Sequence, residues 1–308
     1  MRFWGKASNR NPVNEKAGFS KRGRTALMFA LPQLLILLLF FYWPASQAVQ
    51  SSFTLQSPFG GSTRFVGLMV FERLLTDPEY YRSIYITVTF VFLSTLISIL
   101  LGLLFAVAAD DALRGSKTYR TAIIWPYAVA APVAATTFQF LFDPFTGLAA
   151  IVNNIWPGFW NPYIDGTNAF WMIVVVAAWQ HISYNFLFIL AGLRAIPNTL
   201  FEAAAVDGAG AFRRFYTITL PLLTPTFFFI VIMNIASNFT NSFGIVNVMT
   251  EGGPGGATNL MAYKIYADGF IGLNLSSSSA QSIILMLIMI AITVLQFRFV
   301  EHRINYKV

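Results

Sequence analysis

Four polar side chains within one long apolar stretch are spaced to lie along a single helical face. Asn234, Ser237, Asn238 and Asn241 follow the i, i+3, i+4, i+7 pattern of an α-helix. Their amide and hydroxyl groups donate and accept hydrogen bonds without carrying charge, which suits reversible binding of a hydroxylated solute. The alternative is hydrogen bonding between helices, which is worth about 0.6 kcal/mol per contact in membranes.

A second polar group lies near the middle of the preceding apolar stretch. His181 and Asn185 are one helical turn apart, and Gln180 and Tyr184 lie beside them. Polar groups that face lipid lack hydrogen-bond partners, so these side chains are predicted to face the bundle interior or a wet cavity. Together the two polar faces predict a pathway for a polar solute. No carboxylate accompanies His181, so proton-coupled transport is not expected.

The sequence offers no catalytic, nucleotide or metal site. It contains no Cys and only two His residues, His181 and His302, which fit neither an H-E-x-x-H motif nor a G-x-S-x-G elbow. Gly115-Ser116-Lys117-Thr118 lacks the adjacent Gly-Lys of a phosphate-binding loop. We therefore predict that this chain binds no metal, cofactor or nucleotide of its own and is not an enzyme.

The elements that position these polar residues are predicted to be membrane helices. Of the 308 residues, 56% are hydrophobic and 11% are charged, against roughly a quarter charged in soluble domains. A spanning helix needs about 20 apolar residues. Six stretches free of Asp, Glu, Lys and Arg meet this length, and we predict one transmembrane helix in each: Ala26–Val49, Ile84–Ala109, Thr121–Phe142, Ala169–Leu193, Leu220–Val246 and Ala280–Phe297.

The distribution of positive charge predicts the orientation of these helices. The net charge is +7, and alternate segments outside the helices carry 16 of the 20 Lys and Arg residues. By the positive-inside rule, both termini and the second and fourth loops are predicted to be cytoplasmic. This spread accounts for the basic excess without a nucleic-acid partner. The predicted organisation is a basic cytoplasmic tail (1–25), a transmembrane domain (26–299) and a cytoplasmic tail (300–308).

The fourth loop, residues 197–221, has a strongly specified local pattern. Thr199 and Glu202 have the T-x-x-E spacing of a helix capping box. Gly208 and Gly210 are suited to the left-handed turn that ends a helix. The loop is therefore predicted to form a short cytoplasmic helix, a bend and a basic turn.

The same loop resembles the EAA loop in the membrane subunits of binding-protein-dependent ABC importers. Glu202-Ala203-Ala204 is followed by three residues, Gly208, nine residues and Ile218-x-Leu220-Pro221. The resemblance implies an all-α integral membrane fold, the six-helix transmembrane domain of a type I ABC importer, in a bacterial cytoplasmic (inner) membrane. In that family the short helix docks on the ATPase subunit, and the implied coupling residues are Glu202, Ala203, Ala204, Asp207, Gly208, Arg213, Leu220 and Pro221. A purely structural capping role for Glu202 and Gly208 is the alternative.

Further segments resemble the sn-glycerol-3-phosphate permeases among the carbohydrate-type importers. These segments are Trp125–Ala130, Ile182–Phe188, Gly252–Pro254, Tyr263–Tyr266 and Ala280–Ser282. The chain departs from that pattern at Gln180-His181, where a Lys-Gln pair is expected, and at Asn238–Asn241, where an acidic residue is more usual. The implied substrate is sn-glycerol-3-phosphate or a glycerophosphodiester. A neutral sugar or polyol is the alternative, because no predicted span contains Lys or Arg.

The resemblance also implies partners. They are a second homologous permease subunit, an ATPase dimer that holds ATP and Mg, an extracytoplasmic solute-binding protein and the lipid bilayer. Two other classes remain open at this point: a secondary transporter or channel without an ATPase, and an intramembrane hydrolase that uses His181 as a base.

Overall fold

The computed structural model of the protein describes residues 25–26, 28–56, 63–111 and 116–301. Most of the two predicted cytoplasmic tails, 1–25 and 300–308, lies outside the described residues, as do His302 and Gly115. The predicted tail roles therefore stay predictions.

Five helices are long and apolar enough to cross a membrane. At most of their ends, these helices extend beyond the predicted spans. They are α1 (Met28–Ser52), α3 (Pro78–Asp111), α7 (Gly166–Arg194), α9 (Ala211–Met249) and α11 (Leu275–Glu301). The shorter helices are α2 (Met69–Thr76), α4 (Ser116–Ile124), α5 (Ala131–Leu141), α6 (Leu148–Ile155), α8 (Asn198–Val206) and α10 (Met261–Tyr266). An antiparallel hairpin of β1 (Thr54–Gln56) and β2 (Thr63–Phe65) is a small addition to the predicted helical fold.

The third predicted span, Thr121–Phe142, is broken in the middle. Helix α4 continues into a 3₁₀ turn at Trp125–Ala128, and the chain then bends by 109° before α5. Pro132 lies in the first turn of α5, where a missing N–H costs nothing, so it starts a new helix instead of continuing the old one. Counting this bent pair as one span gives six, and the predicted helical membrane architecture is confirmed.

Helix α3 forms the centre of the bundle and packs closely against α7. A Cβ atom on Gly102 would lie 2.8 Å from Cβ of Asn185 and 3.1 Å from the backbone nitrogen of Phe186. Glycine is therefore required for the observed approach of the two backbones. Ser94 and Ser98, at four-residue intervals before Gly102, are both fully buried. This run of small residues is typical of close helix packing in membranes.

The outer surface of the bundle is apolar. On α3 alone, Phe92, Leu100 and Leu104 are 63%, 55% and 61% exposed. In water this surface would be unfavourable, whereas in lipid it needs no further cover. The distribution of exposed apolar side chains thus agrees with helices that span a bilayer.

Candidate functional site

The break between α4 and α5 opens onto a cavity of about 360 Å³. Its polar groups come from the middle of α7 and the middle of α9, so the cavity is located about halfway along these helices. The lining residues are Pro126, Tyr127, Val129, Ala130, Ala131, Gln180, His181, Tyr184, Met233, Ser237 and Asn241. No lining residue is Asp, Glu, Lys or Arg.

A chain of hydrogen bonds connects α9 to α7 across one wall of this cavity. Asn241 Nδ2 donates to Ser237 Oγ at 2.8 Å, and Ser237 Oγ lies 3.0 Å from His181 Nε2. His181 Nδ1 lies 2.7 Å from the carbonyl oxygen of Ala177, which only accepts. Nδ1 therefore carries a proton, and Nε2 of the neutral ring accepts from the Ser237 hydroxyl. Every group in the chain has a partner without any formal charge.

The opposite wall is formed where the broken span meets α7. Gln180 Nε2 donates to the carbonyl oxygen of Val129 at 3.1 Å, which satisfies a backbone group freed by the break. Tyr184 stacks on Tyr127, with ring centroids 6.0 Å apart and an interplanar angle of 27°. The cavity thus offers neutral amide, hydroxyl and aromatic groups, which suit hydroxyl groups and C–H surfaces of a solute.

The predicted polar stripe of α9 divides into two faces. Ser237 and Asn241 line the cavity, whereas Asn234 and Asn238 are buried against α3. Asn238 Nδ2 donates to Thr95 Oγ1 at 3.2 Å. The two pairs are offset by roughly 60° around the helix, because three residues turn an α-helix by about 300°. Residues that the sequence pattern assigns to one face of α9 therefore have two different environments, because different parts of the structure pack against them.

Asn185 also lies away from the cavity, in a polar cluster between three helices. Its Nδ2 donates to Ser98 Oγ at 3.0 Å, and its Oδ1 accepts from Asn234 Nδ2 at 2.7 Å. Asn234 Nδ2 also donates to the carbonyl oxygen of Ile230 at 2.6 Å. Asn185, Asn234 and Asn238 thus connect α3, α7 and α9 by hydrogen bonds, and their role in the solute pathway stays a prediction.

This cluster predicts a measurable coupling between two side chains. In a double-mutant cycle, Asn185→Ala and Asn234→Ala are expected to show an interaction free energy of about 0.6–1.7 kcal/mol, the range found for hydrogen bonds between membrane helices. Unfolding of the purified protein by a denaturing detergent gives the four stabilities. Strict additivity of the two substitutions would contradict the assigned hydrogen bond. Ser237→Ala paired with Asn185→Ala serves as the uncoupled control.

The predicted coupling loop forms a short helix, but its start differs from the prediction. Helix α8 begins at Asn198 with Pro197 as its N-cap, and no side chain caps it. Thr199 therefore lies inside the first turn, and the predicted Thr199–Glu202 capping box is wrong. The extended conformation of Pro197 starts the helix two residues too early for that box to form. Glu202 and Ala203 are exposed and Ala204 is half-buried.

The end of α8 follows the prediction at Gly208 and departs from it at Gly210. Gly208 has φ of +74°, its N–H donates to the Ala205 carbonyl, and the next N–H donates to the Ala204 carbonyl, which is a Schellman end. Gly210 has φ of −66° and precedes the first turn of α9, so the predicted left-handed conformation there is wrong. Asp207 is the exposed C-cap residue of α8.

The remaining loop residues lead directly into the cavity-forming helix. Arg213 is exposed in the first turn of α9, and a π-helical turn at Phe215–Thr219 follows. Leu220 is half-buried and closes this turn through a bond from its N–H to the Phe215 carbonyl. Pro221 comes next and has no N–H to donate. Since α8 joins the end of α7 to the start of α9, it connects the two helices that carry His181 and Ser237.

The close pair of Ser237 and His181 does not form a hydrolytic site. A Ser–His nucleophile needs its imidazole oriented by a third group, usually a carboxylate. Here Nδ1 of His181 bonds to a backbone carbonyl, and no carboxylate among the described residues bonds to the ring. Ser237 also lies within a continuous helical segment and not on a strained strand-to-helix elbow. Within the described ranges, no three His, Asp or Glu side chains come together to hold a metal ion.

Sequence reasoning did not single out Tyr127, Met233, Thr95 or Ser98 as site residues. Tyr127 directly follows Pro126 in the broken span. An aromatic residue next to a proline inside a predicted span could therefore have indicated this position. Thr95 and Ser98 belong to the small polar run that leads to Gly102. Met233 carries no pattern that distinguishes it from other apolar residues of α9.

Comparisons with known proteins agree with this geometry. Residues 24–306 match the family described as "Binding-protein-dependent transport system inner membrane component". The chain is 50% identical over 276 residues to the sn-glycerol-3-phosphate transport system permease protein UgpA of Brucella abortus biovar 1 (strain 9-941), covering 90% of this chain and 94% of the relative.

Solved structures show the same fold at low identity. A chain of a bacterial ABC transporter involved in the import of the acidic polysaccharide alginate superposes with a TM-score of 0.79 at 20% identity, covering 93% of this chain and 99% of that one. A second structure of a bacterial alginate ABC transporter, in complex with an alginate pentasaccharide-bound periplasmic protein, gives a TM-score of 0.78 at 20% identity, covering 90% and 93%.

Proposed function

The chain belongs to the family of inner membrane components of binding-protein-dependent transport systems, and from that premise we propose that it carries sn-glycerol-3-phosphate or a related glycerophosphodiester. The predicted family resemblance is confirmed, as is the type I ABC importer fold. The chain is a multi-pass permease subunit of the inner membrane, and it is a transport component and not an enzyme.

One observation carries the proposed mechanism. The cavity with its neutral polar lining lies between α7 and α9, and the exposed short helix α8 connects these same two helices. A displacement of α8 therefore acts directly on both walls of the cavity. Val206, at the end of α8, is 88% exposed, which leaves an apolar contact surface beside Glu202. This arrangement supports docking of α8 on an ATPase subunit.

The proposed cycle follows from this connection. A loaded extracytoplasmic binding protein docks on the side opposite α8, and ATP with Mg closes a dimer of ATPase subunits on the α8 side. Closure moves α8 together with α7 and α9, and the cavity opens to receive the solute. The periplasmic protein bound to the structurally similar alginate transporter supports such a partner. A second, homologous permease subunit completes the pathway, and both termini and the α8 loop lie in the cytoplasm.

The cavity lining suits the glycerol part of the proposed substrate but not its phosphate group. The Ser237, Asn241 and Gln180 groups can exchange hydrogen bonds with hydroxyl groups, and Tyr127 and Tyr184 can cover the carbon chain. A phosphate dianion needs positive charge or several N–H donors, because desolvating a charge without compensation is costly. Since none of the described residues that line the cavity is cationic, the phosphate is met at a helix end or by the partner permease.

Competition for uptake tests the proposed substrate. Proteoliposomes that contain the complete transporter, binding protein and ATP are given labelled sn-glycerol-3-phosphate. We expect excess unlabelled sn-glycerol-3-phosphate to suppress uptake of the label, and equal excesses of glycerol or a neutral disaccharide to leave it unchanged. Suppression by the neutral compounds, or none by sn-glycerol-3-phosphate, would favour the alternative of a neutral sugar or polyol, which the uncharged lining also fits.

A further inference from the structure

The loop between α5 and α7 carries a short helix whose apolar side chains point away from the protein. On α6, Leu148, Ile151 and Ile155 lie on one face and are 59%, 58% and 70% exposed. Val152 belongs to the same face. The opposite side carries Ala149, which is buried. The helix is thus amphipathic, with its apolar face outward.

The apolar surface continues beyond the helix. Trp156 and Phe159 are 67% and 63% exposed, and their ring centroids lie 6.3 Å apart. Phe145, just before the helix, is 75% exposed. Residues 142–168 contain no Lys or Arg, and their only acidic residues are Asp143 and Asp165. An exposed surface of this kind is unfavourable in water and indicates an apolar neighbour.

Hydrogen bonds hold the loop in this orientation. Asn153 Nδ2 donates to the Trp160 carbonyl at 2.7 Å, and the Trp160 N–H donates back to Asn153 Oδ1 at 2.9 Å. Trp160 Nε1 donates to the Phe142 carbonyl at 2.9 Å. The loop therefore cannot turn its apolar face inward without breaking these bonds.

A second set of bonds fixes the turn that leads into α6. Asp143 Oδ1 accepts from the N–H groups of Phe145 at 2.9 Å and Thr146 at 2.8 Å, and Asp143 Oδ2 accepts from the Tyr163 hydroxyl at 3.0 Å. These hydrogen bonds, those of the two N–H groups above all, hold the pKa of the Asp143 carboxyl below its usual value. The ionised form of the Asp143 carboxyl, which accepts these hydrogen bonds, is thereby favoured.

The helices on either side of α6 in the chain also carry exposed apolar side chains. Phe140 and Val133 on α5 are 68% and 58% exposed, and Trp171 in the first turns of α7 is 40% exposed. The loop joins the two ends of these helices at the membrane surface opposite α8. Its aromatic residues suit the boundary between headgroups and acyl chains.

We propose that α6 is an interfacial helix, which lies in the bilayer leaflet opposite α8 with Leu148, Ile151 and Ile155 in the acyl-chain boundary. A bilayer fits this face better than a protein partner, because its described residues carry no charged side chain and because it is flanked by exposed aromatic rings that suit the headgroup boundary. In this position α6 anchors the end of α5 that is remote from the break. The inference does not depend on the identity of the transported solute.

The lack of cysteine in the chain permits a direct test with single spin labels. Ile155→Cys places a label on the apolar face, and Asn154→Cys, its exposed neighbour on the flank of the helix, is the matched control. The complete transporter, assembled with cysteine-free partners, is placed in lipid nanodiscs. Collision rates of each label with oxygen, which concentrates in lipid, and with a water-soluble nickel chelate are then measured.

The expected result is a severalfold higher ratio of oxygen to nickel collisions at position 155 than at position 154. Equal nickel access at the two positions would place the face in water and overturn the proposal. Protection of position 155 from both reagents would also overturn it, because a protein partner would then cover the face. Ile151→Cys repeats the measurement on the same face, so that poor folding of one variant leaves the proposal testable.

Discussion

Replacement of Gly208 by valine is expected to reduce ATP-dependent uptake at least about tenfold, although nothing lies within 4 Å of the added Cβ atom. The effect comes from the backbone, since Gly208 has φ of +74°. A left-handed conformation costs a residue with a Cβ atom roughly 1–2 kcal/mol, and a β-branched residue more. About 1.4 kcal/mol corresponds to a tenfold change in population. The Schellman end of α8, and with it the docking geometry, would be disfavoured by about this factor relative to other conformations of the loop.

Gly210→Val is the matched control for this prediction. Gly210 lies two residues away, also has open space around its Cβ position, and has φ of −66°, which valine adopts without strain. The control is therefore expected to retain uptake close to the wild-type rate. Both variants are reconstituted with all partner subunits, and uptake is measured together with the ATPase rate stimulated by loaded binding protein.

The same pair of variants separates an ABC importer from a secondary transporter. If Gly208→Val lowers uptake and stimulated ATPase activity together while Gly210→Val preserves both, α8 couples ATP hydrolysis to transport. Normal uptake by Gly208→Val, or by a chain that lacks Glu202–Gly208 and still folds, would contradict the coupling role. Asn tolerates the left-handed region better than valine does, so Gly208→Asn is expected to give an intermediate rate.

The second large effect is expected at the cavity wall. Ser237→Leu removes the hydroxyl between Asn241 and His181 and places an apolar side chain where the solute is proposed to bind. A hydrogen bond to a charged solute is worth about 1.5–3 kcal/mol, so loss of the Ser237 hydroxyl is expected to lower uptake of sn-glycerol-3-phosphate by roughly tenfold to a hundredfold. The ATPase rate without solute is expected to stay near the wild-type value, because the substitution is remote from α8.

Thr240→Leu is the control on the same helix. Thr240 is exposed, does not line the cavity, and bonds only to backbone carbonyls of α9, at Ala236 and Ser237. A leucine there lies outside the cavity lining, so uptake is expected to change less than twofold. Equal loss of uptake in both variants would indicate general damage to α9 and remove support for the cavity as the pathway.

The helical architecture was accessible from sequence because it depends on local quantities. Length and the absence of charge decide whether a segment can cross a membrane, and these appear directly in stretches such as Ala169–Leu193. The left-handed end of α8 at Gly208 was also predictable, since only the local backbone is involved. The capping box at Thr199 failed because the start of α8 depends on the conformation of Pro197, two residues earlier than the pattern suggests.

The division of the polar stripe was not accessible from sequence. Asn234 and Asn238 contact α3, and Ser237 and Asn241 line the cavity, because α3 approaches α7 closely at Gly102 and the third span breaks before Pro132. Both are tertiary features that periodicity along α9 does not encode. Pro126 and Pro132 are residues at which a helix can bend, but the 109° angle of the break and the hydrogen bond from Gln180 to the Val129 carbonyl are tertiary features.

The central claim is that solute passes through the cavity beside His181, and thiol protection tests it most directly. Asn241→Cys places a single thiol on the cavity wall, and Asn238→Cys places one on the buried face of the same helix, where the native residue is 2% exposed. The complete transporter, with cysteine-free partners, is treated with a membrane-impermeant thiol reagent. We predict that position 241 reacts, that sn-glycerol-3-phosphate delivered by its binding protein slows this reaction severalfold, and that position 238 stays unreactive. A reaction at position 241 that is unaffected by the solute would contradict the proposed pathway.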